Sequence, residues 1–376
     1  MAWIWWLDLD ARLELFKYPK VYDHPGSDEL FAEAMSAAVA YHSRHCPEYA
    51  QILELAGFDA ERSISIVEID TIPPIPTLFL KQHELNSMPV DKMILRSTTS
   101  GTSGRPVSVG MDKACLRLGA NMLLRIVRHH ELLSFRPTRH VILGYQPSSH
   151  NHMGAVRTAY GSTWLALPIS RAYALRDTGD GYELNIAALL GLLERYSQSK
   201  TAVRISGFPT FLLELIRQIQ AKGTSLKMPP HSKVLLGGGW KLATAESVDK
   251  GTLYRLVETC LGIQEKDIVA LFGVVEHPIP YFSCPRHHFH VPVYSRVLIR
   301  DPLTLRVLPF GEPGLLNLIS PFLYSMPLVS IMTDDVATLY PGASCGCGNE
   351  APWFEVLGRA GLKGIQTCSL KAEELL

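Results

Sequence analysis

Three patterns in the sequence predict an α/β fold with a β-rich subdomain near its C-terminal end. Short β-branched runs alternate with amphipathic helical stretches between residues 139 and 272, as in a mainly parallel sheet with covering helices. Glycine-containing turns stand at two predicted strand ends, Gly237–Trp240 and Gly273–His277, where such sheets present their ligand sites. From residue 280 onward the helical period is lost, and short β-like segments are separated by Pro and Gly turns.

Taken in order, residues 27–56 predict a helix with Phe31, Ala34, Met35, Ala38 and Val39 on one face. Ile72-Pro-Pro-Ile-Pro76 forces an extended stretch, because proline clashes inside a helix. A polar loop from Ser97 to Gly104 precedes an amphipathic helix at 112–133. Then come a strand at Arg139–Tyr145, a helix at 185–199, a strand at Ala202–Ser206 and a helix at 209–222. A strand at Lys233–Leu236, a helix at 244–261 and a strand at Asp267–Phe272 complete the alternation. The β-rich part, 280–350, contributes Val297–Arg300, Gly314–Ile319 and Leu328–Met332. The expected organisation is one large domain over 1–357, then a hinge and short C-terminal segment over 358–376.

A chain of 376 residues can bury a sizeable core. Lys+Arg and Asp+Glu both number 36, so nothing favours a nucleic-acid partner. The apolar start, Met1 to Leu7, lacks a basic n-region and gives way at once to Asp8, against a signal peptide; its aromatic residues are expected to pack on the domain. No window approaches the roughly 18 apolar residues of a membrane span, so a cytoplasmic chain is expected. Seven cysteines, an odd number without a signal, argue against a disulfide framework.

The segment Ser97-Thr98-Thr99-Ser100-Gly101-Thr102-Ser103-Gly104-Arg105-Pro106 carries the most chemistry. Its hydroxyls and amides can donate to phosphate oxygens, Gly101 and Gly104 allow the positive φ that turns amides inward, and Arg105 adds a charged donor. No Gly-Lys-Ser/Thr follows, so it is not a Walker loop. The order of residues resembles the phosphate loop of the adenylate-forming, acyl-activating superfamily. Val107 stands where many members carry lysine, a departure from the pattern for which Arg105 offers a charge instead.

Further segments resemble that superfamily's motifs in the same order. Leu236-Gly237-Gly238-Gly239-Trp240 resembles the turn bordering adenine, and Leu271-Phe272-Gly273-Val274-Val275-Glu276 resembles the aromatic-Gly motif. The resemblance implies that Phe272 lies by adenine and that Glu276 helps hold Mg²⁺. Thr333-Asp334-Asp335 resembles the motif whose last acid binds the ribose hydroxyls, a role that falls to Asp335. Leu357-Gly358-Arg359 resembles the hinge whose arginine reaches the nucleotide.

Within the superfamily the chain is similar to the acyl-protein synthetases of luminescence-type fatty-acid reductases, and more distantly to phenylacetate-CoA ligases. The similarity includes His45-Cys-Pro-Glu-Tyr49, Ile75-Pro-Thr-Leu-Phe-Leu-Lys81, Trp353–Ala360 and Cys368–Glu374. It implies a short C-terminal segment in place of a domain, and an acyl group loaded onto a cysteine near the C-terminus, here Cys368. Lys363 and Lys371 lie nearby, to lower its pKa or to replace the lysine of the absent domain. Coenzyme A is the alternative acceptor, and a non-catalytic nucleotide-binding subunit is the alternative from another class. A carboxylic acid, here a fatty acid, is the implied substrate, with acyl reductase or acyltransferase subunits as companions.

Cys284, His290, Cys345 and Cys347 offer four ligands of the kind tetrahedral zinc takes, with His287 and His288 as spares. The similarity favours His290 by spacing and implies a closed structural site. His150 and His152 follow a predicted strand end, where a substrate or nucleotide contact is the alternative to the favoured reading as structural loop histidines. His129 and His130 read as a helix C-terminus whose dipole favours their charged form.

Overall fold

The computed structural model describes residues 4–99, 106–149, 151, 153–237 and 248–359, apart from the side chains of residues 4–10. The chain divides into two compact units: residues 1–130 with 273–363, and residues 131–272 with 364–376.

The first unit opens with helices α1 (Ile4–Lys17), α2 (His24–His45) and α3 (Pro47–Leu55). The helix expected over 27–56 is therefore two. Cys46 is extended, and Pro47, which has no N–H to donate, opens α3. Next come β1 (Ile75–Pro76), the one-turn helix α4 (Thr77–Leu80), the β2 (Leu95–Thr98) and β3 (Ser108–Met111) pair, and α5 (Lys113–His129). Asp112 caps α5 by accepting the Cys115 N–H at 2.8 Å. The helix stops short of residue 133, as Glu131 takes a left-handed φ of 52°.

The second unit contains β4 (Pro137–Tyr145), α6 (Gly154–Ser162), β5 (Leu167–Asp177), β6 (Tyr182–Leu184), α7 (Ile186–Ser197), β7 (Ala202–Gly207), α8 (Pro209–Ala221), β8 (Lys233–Leu236), α9 (Lys250–Leu261) and β9 (Ile268–Val274). Strand order β9-β8-β7-β4-β5-β6 is parallel throughout except at β6, which runs antiparallel to β5. Val141, Leu143, Val203, Ile205, Val234 and Leu236 form one face of this sheet. They pack with Leu189 and Leu193 of α7, Phe211 and Leu215 of α8, and Leu253 and Val257 of α9. The spacing of four along each helix is what aligns those side chains on one stripe.

The chain returns to the first unit through the end of β9 and a two-residue turn, Val275–Glu276, into β10 (His277–Phe282). Strands β11 (Phe289–His290), β12 (Arg296–Arg300), β13 (Pro313–Ile319), β14 (Ser330–Tyr340) and β15 (Trp353–Arg359) follow. They form an antiparallel sheet in the order β11-β15-β14-β13-β12, with β1 added parallel to β14. Strand β14 runs well past the expected Leu328–Met332. Ladders to β13 resume beyond the polar Thr333-Asp334-Asp335, across a bulge between Met332 and Val336, and β15 pairs from Asp335 onward, so the strand continues where side-chain pattern alone reads as a break. Phe16 packs against Tyr294 and Phe322, each at 5.2 Å between ring centroids, joining α1 to this part of the core.

Candidate functional site

Residues Thr333–Asp335 lie where two strand ends meet. One edge of β14 is paired with β13 at Ser330–Met332 and again at Val336–Thr338, with a bulge at Thr333–Asp335 between. The other edge is shared: β1 pairs with Ile331 and Met332, whereas β15 pairs from Asp335 to Tyr340. Because β1 is parallel to β14, its C-terminal end, leading into α4, points toward Thr333. Because β15 is antiparallel, its C-terminal end, Arg359, stops opposite Asp335. The two chain ends thus approach Thr333–Asp335 from opposite directions.

Asp335 is nearly buried and receives Arg359 Nε on Oδ1 at 3.2 Å. Its N–H donates to Thr333 Oγ1 at 3.1 Å, which orders the turn of side chains along the strand. Glu276, from the turn between β9 and β10, is also buried. Burial pushes its carboxyl above the ordinary range; the positive charges of Arg359 and Lys81 oppose that shift and Asp334 reinforces it. Lys81, the residue that ends α4, therefore belongs to the same neighbourhood. No motif pointed to it. The parallel pairing of β1 with β14 brings it there, and the only signal in the chain was its place at the end of the Ile75–Lys81 segment. His277 supports the turn from behind: its Nε2 lies 2.9 Å from Tyr281 Oη and 3.2 Å from Ser295 Oγ, and burial holds its pKa down to about 3, so the ring is neutral.

Thr98 and Thr99 form the neck of the polar loop. Thr99 N–H donates to the Val107 carbonyl at 3.0 Å, and Val107 N–H donates to Thr99 Oγ1 at 2.9 Å. Val107 is buried, so its position serves packing. The loop residues Ser100, Gly101, Thr102, Ser103, Gly104 and Arg105 lie outside the described residues, as do Gly238, Gly239, His150, His152, Lys363, Cys368 and Lys371. In the second unit Gly237 follows the C-terminal end of β8, its N–H donating to the Gly207 carbonyl at 3.0 Å. Half-buried Phe272 lies near the C-terminal end of β9, and Gly273 follows it.

A second constellation lies at the far end of β15 from Arg359. Cys284, His290, Cys345 and Cys347 present ligand atoms that all fall within 4.8 Å of one another. Cys284 Sγ and Cys345 Sγ are 3.6 Å apart, close to the ~3.8 Å separation set by Zn–S bonds of ~2.3 Å in a tetrahedron. Cys347 Sγ is 3.2 Å from His290 Nε2. The opposite nitrogen, His290 Nδ1, donates to the Ala351 carbonyl at 2.7 Å, which leaves Nε2 with its lone pair toward the sulfurs. Gly346 and Gly348 adopt left-handed φ values of 71° and 88°, folding the two nearby cysteines into one tight loop. His288 is outside the four; its Nδ1 is 3.1 Å from Cys345 Sγ and its ring stacks on Trp353. Burial pushes the Cys345 thiol up to about 12.

His129 and His130 stand at the C-terminal end of α5, as expected. His130 Nε2 meets Tyr22 Oη at 2.6 Å, and burial lowers the pKa of both rings, that of His130 to about 3. Burial works against the charge that the helix dipole would favour, and His130 is neutral.

A strand-end acid paired with an arginine and a buried glutamate beside it are set in an α/β fold that matches adenylate-forming enzyme structures. A 2-hydroxyisobutyryl-CoA ligase structure in complex with 2-HIB-AMP superposes with a TM-score of 0.69 at 16% identity, covering 93% of this chain and 72% of that one. The family model for acyl-protein synthetase, LuxE, matches residues 15–376, and the chain belongs to that family. It is an ATP-dependent acyl ligase. The long-chain-fatty-acid–luciferin-component ligase of Vibrio harveyi is 24% identical over 95% of this chain and 90% of its own length. The phenylacetate-coenzyme A ligase of Thermus thermophilus is 23% identical over 92% of this chain and 74% of its own. Among the described residues, no helix is long and apolar enough to cross a membrane.

Proposed function

We propose that this chain converts a fatty acid into acyl-AMP with ATP and then transfers the acyl group to its own Cys368, for use by an acyl reductase or acyltransferase partner. The observation that carries this reading is the convergence of Arg359, Asp335, Glu276 and Lys81 around Thr333–Asp335, from which the chain runs directly into the segment bearing Cys368. The names of the luciferin-component ligases support a long-chain acid as substrate.

In the first step the substrate carboxylate attacks the α-phosphorus of ATP and pyrophosphate departs. Developing charge on the phosphates calls for fixed donors, which the loop Thr98–Arg105 offers in hydroxyls, amides and one guanidinium. Asp335 takes the ribose hydroxyls, while Gly237–Gly239 and Phe272 border the adenine. Arg359 is held by Asp335 and is positioned to exchange that contact for the nucleotide. Glu276 would hold Mg²⁺, whose role when bound is to neutralise phosphate charge. Lys81 adds a positive charge beside Glu276, where it can meet the reacting carboxylate and phosphate. In the second step the Cys368 thiolate attacks the acyl carbonyl, forming the thioester and releasing AMP, with Lys371 favouring the thiolate.

Cys284, His290, Cys345 and Cys347 fit a structural zinc in ligand number, donor type and outer hydrogen bonding. Four protein ligands leave no open position, so the metal would staple the β10–β11 segment to the loop before β15.

Intact-protein mass after incubation with ATP, Mg²⁺ and a panel of carboxylic acids tests the reading. A gain of one acyl group, removed by hydroxylamine and absent from Cys368→Ser, is expected. The phenylacetate-coenzyme A ligase relative favours a second reading with coenzyme A as acceptor. That reading predicts no acyl gain and AMP release only once coenzyme A is present.

A further inference from the structure

A buried basic row crosses the sheet of the second unit. Arg171 of β5, His140 of β4 and Arg204 of β7 are register partners on adjacent parallel strands. Their side chains therefore leave the sheet on the same side, and Ser206 joins them two residues further along β7. That side is opposite Val141, Val203 and Ile205, which face the apolar core. His140, Arg204 and Ser206 are all at least nine-tenths buried.

The row is short of acceptors. Among the described residues, both ring nitrogens of His140, Arg171 Nη2, Arg204 Nη1 and Ser206 Oγ have no hydrogen-bond partner. One other nitrogen of each guanidinium is engaged. Arg204 Nη2 donates to the Leu132 carbonyl at 2.9 Å, and Arg171 Nε donates to Thr163 Oγ1 at 2.9 Å. The Arg171 guanidinium also lies over the rings of Tyr160 and Trp164, at 5.2 and 4.8 Å. The two anchored guanidinium groups thus each keep one unpaired N–H end.

Charge is unbalanced as well. Lys233 of β8 is next in the row, in register with Arg204, and it has Asp267 at 2.9 Å. Neither Arg171 nor Arg204 has such a carboxylate among the described residues. Burial alone lowers the Arg204 pKa, to about 10. Burial, then the charges of Arg204 and Arg171, press the His140 pKa down to about 4. A buried guanidinium, with the buried Nη2 of a second beside a neutral imidazole, is unfavourable unless something negative lies among them. Water would supply an acceptor and no charge.

We propose that the Arg171–His140–Arg204 row binds one small inorganic anion, a halide or an oxyanion such as phosphate, with Ser206 completing its donors. A ligand that binds only the folded state raises the melting temperature with its concentration. The test is thermal melting of the full chain at constant ionic strength, with sodium gluconate replaced stepwise by sodium chloride, bromide or phosphate. A saturable rise with at least one of these anions is expected in the parent protein and absent in Arg204→Leu. Whichever anion acts identifies the class, and a bromide anomalous peak beside Arg204 would locate it. Should Arg204→Leu not fold, Arg171→Gln serves in the same comparison. An unchanged melting temperature across all three anions, or an equal response in the variant, would overturn the proposal; an equal phosphate response in the variant would place that anion at the nucleotide loop.

Discussion

At the scale of single residues, charge pairing decides what the site can do. Asp335 is held by Arg359, and both lie where β15 ends. Asp335→Ala is expected to lower ATP–pyrophosphate exchange by on the order of 100-fold, as removal of one oriented transition-state contact does elsewhere. Lys81→Ala is expected to cost about 10- to 100-fold in the same exchange, the usual range for a lost charge-assisted hydrogen bond, with partial recovery in Lys81→Arg. Melting temperatures measured beside the rates separate loss of chemistry from loss of fold. Exchange within a few-fold of the parent protein in Lys81→Ala would remove that residue from the mechanism. Cys368→Ser should leave exchange intact and abolish only acyl retention.

At the scale of elements, two local structures carry consequences. The cysteine–histidine cluster joins β11, the loop before β15 and the turn after β10. One zinc per chain is expected by elemental analysis, and Cys347→Ser should release it and lower the melting temperature by roughly 5 °C. Retention of both metal and melting temperature in that variant would reduce the cluster to packed thiols. Strand β7 ends in Gly207 at φ 133°, where an added Cβ would run into the Leu143 carbonyl of β4. Gly207→Ala should therefore destabilise the second unit by roughly 2 kcal/mol or more, read from denaturant midpoints.

At the scale of the whole molecule, buried histidines set the acid limit. His42 Nε2 donates to the Leu323 carbonyl at 2.9 Å and its Nδ1 accepts from Ser87 at 2.7 Å, so it is folded in as a neutral ring. Burial lowers its pKa to about 3, and that of His24 likewise to about 3. In the unfolded chain both titrate near ~6.5. Below that value the unfolded state binds more protons than the folded one, so stability is full above pH ~6.5 and falls as pH drops toward 3. Melting temperature followed from pH 7.5 to 5 should decline, and His42→Gln should have a shallower slope. A slope that does not change would mean that His42 is already protonated in the fold.

The α/β alternation and the β-rich C-terminal region were legible in the sequence, because side-chain periodicity and turn chemistry are local properties. Helix 209–222 is observed as Pro209–Ala221, and strand Lys233–Leu236 at those same residues. Cys284, His290, Cys345 and Cys347 were recognisable as ligand types. Only the pairing of β11 with β15 and the left-handed glycines around Cys347 set their atoms within one coordination sphere. Strand β5 went unread, because LPISRAYALRD has no clean alternation and owes its extension to parallel pairing with β4. Lys81 and the Arg171–His140–Arg204 row were equally invisible, since each depends on register between strands far apart in the chain. Residue type and spacing determine which chemistry is available. Long-range strand register and burial determine which of those groups meet, and which are left with charge unpaired, because both energies arise only when distant segments exclude water together.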